Sequence, residues 1–251
     1  MKPLNIVIGV PTFRGVVSSH TMISLMRVSD LFHKAGINMR LVKVDSADIV
    51  TTRNMIGTLC YMNEDFTHLL FIDDDMSFEA DAIMTLLRAD KDIVGCVCPK
   101  RTLDMKAFHA AALTGAPYEQ CMAEALSFVT MHLPTEKLHV DNGLCKLAGI
   151  GMAVTLIKRS VLVKMVDMGV VLERAVAAGG DALGNPKFWG FFEQIYYKET
   201  DSLLSEDLSF CTRWREQCGG EVYGAVGHEI GHIGQYVYSG RYLDLLRAGK
   251  G

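Results

Sequence analysis

Three consecutive carboxylates, Asp73-Asp74-Asp75, follow the apolar run Leu69-Leu70-Phe71-Ile72. Residues i and i+2 of an extended chain share a face, so Asp73 and Asp75 can address one target. Like charges this close raise one another's pKa unless a cation compensates. A hard divalent ion with oxygen ligands, Mn²⁺ or Mg²⁺, is the natural compensator. A solvated turn whose acids cap a helix beginning near Glu79 accounts for the same residues without a metal, and the motif alone leaves both readings open. Arg53-Asn54 follows Asp45-Ser46-Ala47-Asp48. An arginine there suits a phosphate or a nucleobase, or else pairs at the surface with Asp45 or Asp48. His228-Glu229-Ile230-Gly231-His232 spells HExxH. On a helix, His228 and His232 would hold Zn²⁺, with Glu229 as the general base of a metalloprotease. Gly224, Gly227, Gly231 and Gly234 crowd that segment, and each glycine inside a helix costs roughly 1 kcal/mol relative to alanine. No third zinc ligand follows: Tyr238 stands where the extended pattern needs a histidine, and no glutamate occurs after Glu229.

The elements that must position these groups are read from hydrophobic periodicity. Leu4–Val10, Met39–Val44, His68–Ile72 and Ile93–Val97 read as strands. Ser18–Lys34, stopped by Gly36, and Ile49–Met62 and Glu79–Ala89 read as helices. This alternation predicts an α/β fold, a mostly parallel central sheet flanked by helices. Ligands bind such sheets outside the carboxyl ends of the strands, where Pro11-Thr12-Phe13, Asp45-Ser46 and Asp73-Asp74-Asp75 all fall. In the second half, Leu144–Ile157 reads as one strand bent at Gly149 and Gly151, and Arg159–Met168 as a helix closed by Gly169. Gly179–Lys198 is rich in glycine and aromatics, as active-site loops often are. Ser205–Gln217 reads as a capped helix and Glu221–Val226 as a strand.

Composition narrows the classes. The chain has 251 residues and a net charge of −4, so no bulk basic field exists to hold nucleic acid. The longest stretches without a formal charge, Gly15–Met26 and Ala107–Tyr118, have 12 residues each. A bilayer span needs about 20 apolar residues, so no membrane span is expected. The N-terminus lacks a signal-peptide layout, and the seven cysteines include no CxxC pair. Reduced, buried thiols in a cytoplasmic protein are the expectation. No repeat or linker divides the chain, which reads as one domain.

The order Arg53-Asn54, Phe71-Ile72-Asp73-Asp74-Asp75, Lys91-Asp92-Ile93-Val94, Lys100-Arg101 resembles the nucleotide-sugar half of a GT-A-fold glycosyltransferase. It is similar to family-2-type enzymes and to the yeast mannan-polymerase type of mannosyltransferase. Ala148-Gly149-Ile150-Gly151-Met152 with Ile157-Lys158-Arg159 resembles the strand beneath the acceptor site. Ser205-Glu206-Asp207-Leu208-Ser209-Phe210-Cys211 resembles the segment opening the catalytic helix. His232-Ile233-Gly234 with Tyr238-Ser239-Gly240 resembles the late histidine closing the metal site. The resemblance implies a GT-A domain over residues 1–251, with 1–101 binding the nucleotide-sugar and 102–251 forming the acceptor and catalytic half. Residues 102–143 match no part of the pattern.

On that resemblance the activity is a metal-dependent hexosyl transfer from a UDP- or GDP-sugar to an acceptor hydroxyl, with a glycan as the expected acceptor. Pro11, Thr12 and Arg14 would line the nucleoside pocket, with Asp45 near the base and Arg53 near base or phosphate. Asp73 would face the ribose beside Asp74 and also ligate Mn²⁺ or Mg²⁺ together with Asp75, with His232 as a further metal ligand. Lys100, with Arg101, would contact diphosphate, although a solvated pair accounts for them equally. Asp207 would be the general base and Glu206 its neighbour orienting the acceptor. Inversion is expected, since a retaining enzyme would lack that base. Trp189, Phe191 and Phe192 suit sugar stacking or the core. His109, His132 and His139 receive no role. A catalytically inactive nucleotide-sugar-binding module is the third class; such a chain would let Asp73, Asp75, Asp207 and His232 drift.

Overall fold

The computed structural model describes residues 3–134, 137–176, 183–184 and 186–235. Part of the Gly179–Lys198 loop and Tyr238-Ser239-Gly240 lie outside these. In chain order the main elements are β1 (Asn5–Thr12), α1 (Ser19–Ala35), β2 (Asn38–Asp45), α2 (Ile49–Met62), β3 (His68–Ile72), α3 (Ala80–Ala89) and β4 (Ile93–Cys96). There follow α4 (Met105–Leu113), α5 (Tyr118–Ala125), β5 (Val140–Asp141), β6 (Leu144–Leu147), β7 (Val154–Lys158), α6 (Arg159–Asp167), α7 (Glu206–Thr212) and β8 (Val222–Ala225). Eight strands form one sheet in the order β2-β1-β3-β7-β4-β8-β6-β5. Only β7 and β6 run against the rest, so the sheet is mostly parallel in direction, as expected.

Local signals explain the first half. Ser18 Oγ accepts from Thr21 N at 3.0 Å and starts α1, and Gly36, at φ 67°, ends it. Asp48 caps α2 by accepting from Val50 N and Thr51 N. The strands are apolar on both faces because both faces are covered. Val7, Leu69, Phe71 and Ile157 pack with Ile56 of α2, Leu162 of α6 and Phe210 of α7. Ile6, Ile8, Leu70 and Ile72 pack on the opposite face with Val28 and Phe32 of α1 and Ile83 of α3. Phe191 and Phe192 are fully buried in the first of these layers and so belong to the core, not to a sugar-stacking surface.

The Leu144–Ile157 run is not one bent strand. It divides into β6, the short Gly149–Ile150, which leaves the sheet to pair with Thr130–Met131, and β7. All three pieces are largely buried, so the apolar pattern runs on through breaks that only the tertiary partners create. The seven cysteines are free and buried. No helix among the described residues is long and apolar enough to cross a membrane.

His68 opens β3 half-buried, and burial, then the charge of Lys158, push its pKa from 6.5 down to about 4. Between those values the unfolded chain binds more protons than the folded one. The stability this group permits is therefore complete above pH 6.5 and is lost as pH falls towards 4. At about 1.4 kcal/mol per pKa unit, the loss is on the order of 3 kcal/mol. His68→Gln is expected to remove that part of the acid slope in urea-unfolding stability between pH 7 and 4. An unchanged slope would assign the acid sensitivity to other groups.

Candidate active site

The carboxyl ends of β1, β2 and β3 open onto a cleft of about 300 Å³ lined by Pro11, Thr12, Ser46, Thr52, Asp73, Asp74, Asp75, Arg101 and His232, among others. Backbone capture by carboxylates shapes its floor. Asp45 Oδ1 accepts from Gly15 N at 2.8 Å and from Thr12 Oγ1 at 3.3 Å, fixing the loop after β1. Asp74 Oδ2 accepts from Phe13 N at 3.1 Å, while its carbonyl accepts from Ser18 N and Thr21 Oγ1. Burial, against the Phe13 amide and reinforced by the charges of Asp75 and Asp73, holds the Asp74 carboxyl above its ordinary range. Asp73 and Asp75 share the cleft, as the i, i+2 spacing requires.

Asp75 is the centre of the charged corner. Its Oδ2 lies 3.2 Å from His232 Nε2 and 3.0 Å from Arg101 Nη1. Gly231–His232 pairs with Met76–Ser77, and Ile233 N donates to Asp75 O at 2.7 Å, so a short antiparallel strap holds the histidine over the aspartate. His232 Nδ1 lies 2.8 Å from the Pro99 carbonyl. That oxygen can only accept, so Nδ1 carries a proton. Nε2 donates to Asp75 when the ring is protonated, and when the ring is neutral it presents a lone pair that a cation could share with the carboxylate. Burial pushes the Asp75 carboxyl up, but His232 and then Arg101 outweigh it and hold it below its ordinary range. The Asp75 hydrogen bond reciprocally raises His232.

This is a donor set that fits Mn²⁺: one carboxylate oxygen and one imidazole nitrogen whose other nitrogen is anchored by a backbone carbonyl. Among the described residues no group of three His, Cys, Asp or Glu side chains gathers. A metal here would take its remaining ligands from a bound anion and water.

Arg53 links this corner to the second half of the chain. It is almost wholly buried, not a surface arginine paired with Asp45 or Asp48. Its Nη2 donates to Asp73 Oδ2 at 3.1 Å, its Nε to Glu206 Oε1 at 3.3 Å, and its guanidinium lies over the Phe71 ring at 5.1 Å. Burial would lower its pKa, but Asp73 and Glu206 more than offset that. Its Nη1 is buried without a partner. Beyond Glu206, the Asp207 carboxylate accepts from Leu208 N at 2.7 Å and from Ser205 Oγ through the same Oδ1. Ser205 therefore does not cap α7 through its side chain; it braces Asp207. A side chain at Gly151 would meet the other carboxylate oxygen, Oδ2, at 3.5 Å. Glycine there keeps the approach to Asp207 open.

The structure brings only some of the sequence candidates together. Pro11, Thr12, Asp73, Asp74, Asp75 and His232 converge on the cleft. Arg14 and Asp45 do not line it: Arg14 stacks over the exposed Phe13 ring at 4.9 Å, and Asp45 anchors the loop. Lys100 is exposed and outside it, while Arg101 lines it. Which of the two basic neighbours reaches Asp75 is a tertiary outcome that residue type alone does not fix. Thr52, buried beneath the cleft one residue before Arg53, had no sequence signal of its own. The HExxH geometry is not formed, because the segment is not helical. His228 turns to Thr85 Oγ1 at 2.9 Å and His232 to Asp75, so the two rings serve different partners.

No family model and no curated protein sequence matches the chain. Among solved structures, A197 from STIV is similar at a TM-score of 0.49 and 13% identity, covering 92% of this chain and 87% of that one. The catalytic domain of Drosophila beta1,4-galactosyltransferase 7, solved with xylobiose, is similar at 0.44 and 11% identity, covering 92% of this chain and 71% of that one. GalNAc-T7, solved with UDP, GalNAc and Mn²⁺, is similar at 0.48 and 10% identity over 93% of this chain, which spans 44% of that one.

Proposed function

We propose that the protein is a metal-dependent glycosyltransferase of GT-A type. It transfers a hexose-type sugar from a UDP- or GDP-sugar to an acceptor hydroxyl, with inversion, using one domain over residues 1–251. The observation that carries this reading is the convergence of Asp75 and His232, with Asp73, in one cleft that Arg53 ties to Glu206 beside Asp207. A nucleotide site alone does not require the acids of α7 to be joined to it.

Asp75 and His232 would hold Mn²⁺, or less readily Mg²⁺, which when bound supplies Lewis-acid stabilisation of the leaving nucleoside diphosphate. Arg101 reaches the same corner and adds a fixed positive charge where the leaving group becomes more anionic. Pro11, Thr12 and Ser46 form the wall against which the nucleoside lies, and Asp73 is available to ribose hydroxyls. Arg53 holds Asp73 and Glu206 in register. Asp207 takes the proton of the acceptor hydroxyl as it attacks, the step that an inverting displacement needs from a base.

The test is thermal unfolding with UDP and GDP, each with and without Mn²⁺. Ligand at about 100 times its Kd adds roughly 2.7 kcal/mol, several degrees for a chain of this size. One nucleotide is expected to raise the melting temperature only with the metal, and Asp75→Ala to abolish that shift. A nucleotide shift that survives chelation, or survives Asp75→Ala, would overturn the metal assignment.

A further inference from the structure

A second groove opens at the same edge of the sheet. Strands β4 and β8 run in the direction of β1 to β3, so Val97 and Val226, just past their carboxyl ends, lie on the side where Asp73–Asp75 lie. These valines floor a groove of about 620 Å³, walled by α5 and Phe128 and, opposite, by His228–Ile230. Tyr118 and Phe128 supply exposed aromatic surface, and Phe108 holds the Tyr118 ring edge-on at 6.1 Å. Glu119 and Glu229 line it, and among the described residues no lysine or arginine does.

The groove adjoins the candidate active site through Pro99 and His232. Pro99 lines it and also accepts the Nδ1 proton of His232. Val129, the neighbour of Phe128, donates to Cys98 O at 3.1 Å and accepts from Gly151 N at 3.3 Å. A side chain at Gly151 would meet Val129 at 3.0 Å and the Asp207 carboxylate at 3.5 Å. A single short segment thus has Phe128 in the groove and Val129 against Gly151, the residue that the Asp207 carboxylate also faces.

We infer that this groove binds the acceptor, and that the acceptor is a neutral glycan; the inference rests on the transferase reading above. A sugar ring has an apolar C–H face and a rim of hydroxyls. Tyr118 and Phe128 bury the first, and the carboxylates of Glu119 and Glu229 accept from the second. Beside His228, an anionic glycan or a nucleic acid would meet two carboxylates and, among the described residues, no lysine or arginine, a balance that repels it. The α5 wall and Phe128 come from residues 102–143, the stretch that matches no part of the family pattern.

The experiment presents labelled full-length protein to immobilised neutral, uronate-bearing and phosphorylated oligosaccharides. Nucleotide binding is followed in parallel by the UDP and GDP melting shift with Mn²⁺. Neutral hexose oligosaccharides are expected to bind. Tyr118→Ala and Phe128→Ala should each weaken that binding roughly tenfold and leave the nucleotide shift unchanged, while Tyr118→Phe retains it. Both side chains are exposed, so their truncation leaves the core intact. Preference for anionic glycans, for single-stranded RNA or for phospholipid vesicles overturns the inference. So does neutral-glycan binding indifferent to both truncations, or no neutral-glycan binding by a protein that shows the nucleotide shift. Neutral-glycan binding sensitive to the truncations, without any nucleotide shift, keeps the groove and rejects the transferase reading instead.

Discussion

Asp207→Asn is expected to lower sugar transfer by about 10²- to 10⁴-fold, the usual contribution of a positioned general base, and to leave nucleotide binding unchanged. The geometry makes the substitution clean. Oδ1 of Asp207 serves Leu208 N and Ser205, and an asparagine carbonyl can serve both. The change falls on the oxygen facing Gly151, where an amide donates and cannot take a proton. Single-turnover transfer with a saturating donor separates the step from binding, and the Mn²⁺-dependent melting shift reports the donor site. Turnover within a few-fold of wild type would move the base elsewhere, with Glu206 the nearest carboxylate. Glu206 is a poorer choice because its Oε1 is already committed to Arg53.

The largest stability effect is expected at Arg53. Arg53→Met removes the cation that neutralises Asp73 and Glu206 while keeping most of the apolar volume over Phe71. Breaking a buried pair by removing one partner costs roughly 3–5 kcal/mol, because the remaining charge is left uncompensated. Asp73 and Glu206 keep partial contact with solvent, which puts the expectation near the lower end, about 3 kcal/mol. Total stability of such a domain is about 5–15 kcal/mol, so urea denaturation resolves the loss easily. Adding Asp73→Asn and Glu206→Gln should recover a large part of it, since residues in one network are not additive. A loss below about 1 kcal/mol would mean that Arg53 behaves as an exposed pair does.

The first half of the fold was legible because its signals are local. The apolar runs of β1 and β3, the Ser18 and Gly36 ends of α1, and the 49–62 and 68–72 boundaries each depend on residues within one element. The carboxylate cluster was legible for the same reason: three acids after a buried strand need no partner to be noticed. Arg53 was seen, but sequence left open whether it lay at the surface, since burial is a property of what packs over a residue. The Leu144–Ile157 run was over-joined, because a strand that leaves one sheet for another keeps the same apolar composition.

Composition and periodicity by themselves determined the α/β class, the covered sheet and the edge at which a site should lie. They also supplied the residue types available for chemistry. Tertiary structure alone decided which of those residues meet. Asp75 and His232 are 157 positions apart, and Arg53 and Glu206 are 153 apart; no spacing rule spans such distances. It also chose Arg101 over Lys100 and separated the two histidines of HExxH. The physical reason is that periodicity records one element's preference for a buried face, whereas a site is made where several elements end together. Their meeting point is fixed by sheet order and by the strap of residues 231–233, interactions that the sequence encodes only through the whole fold.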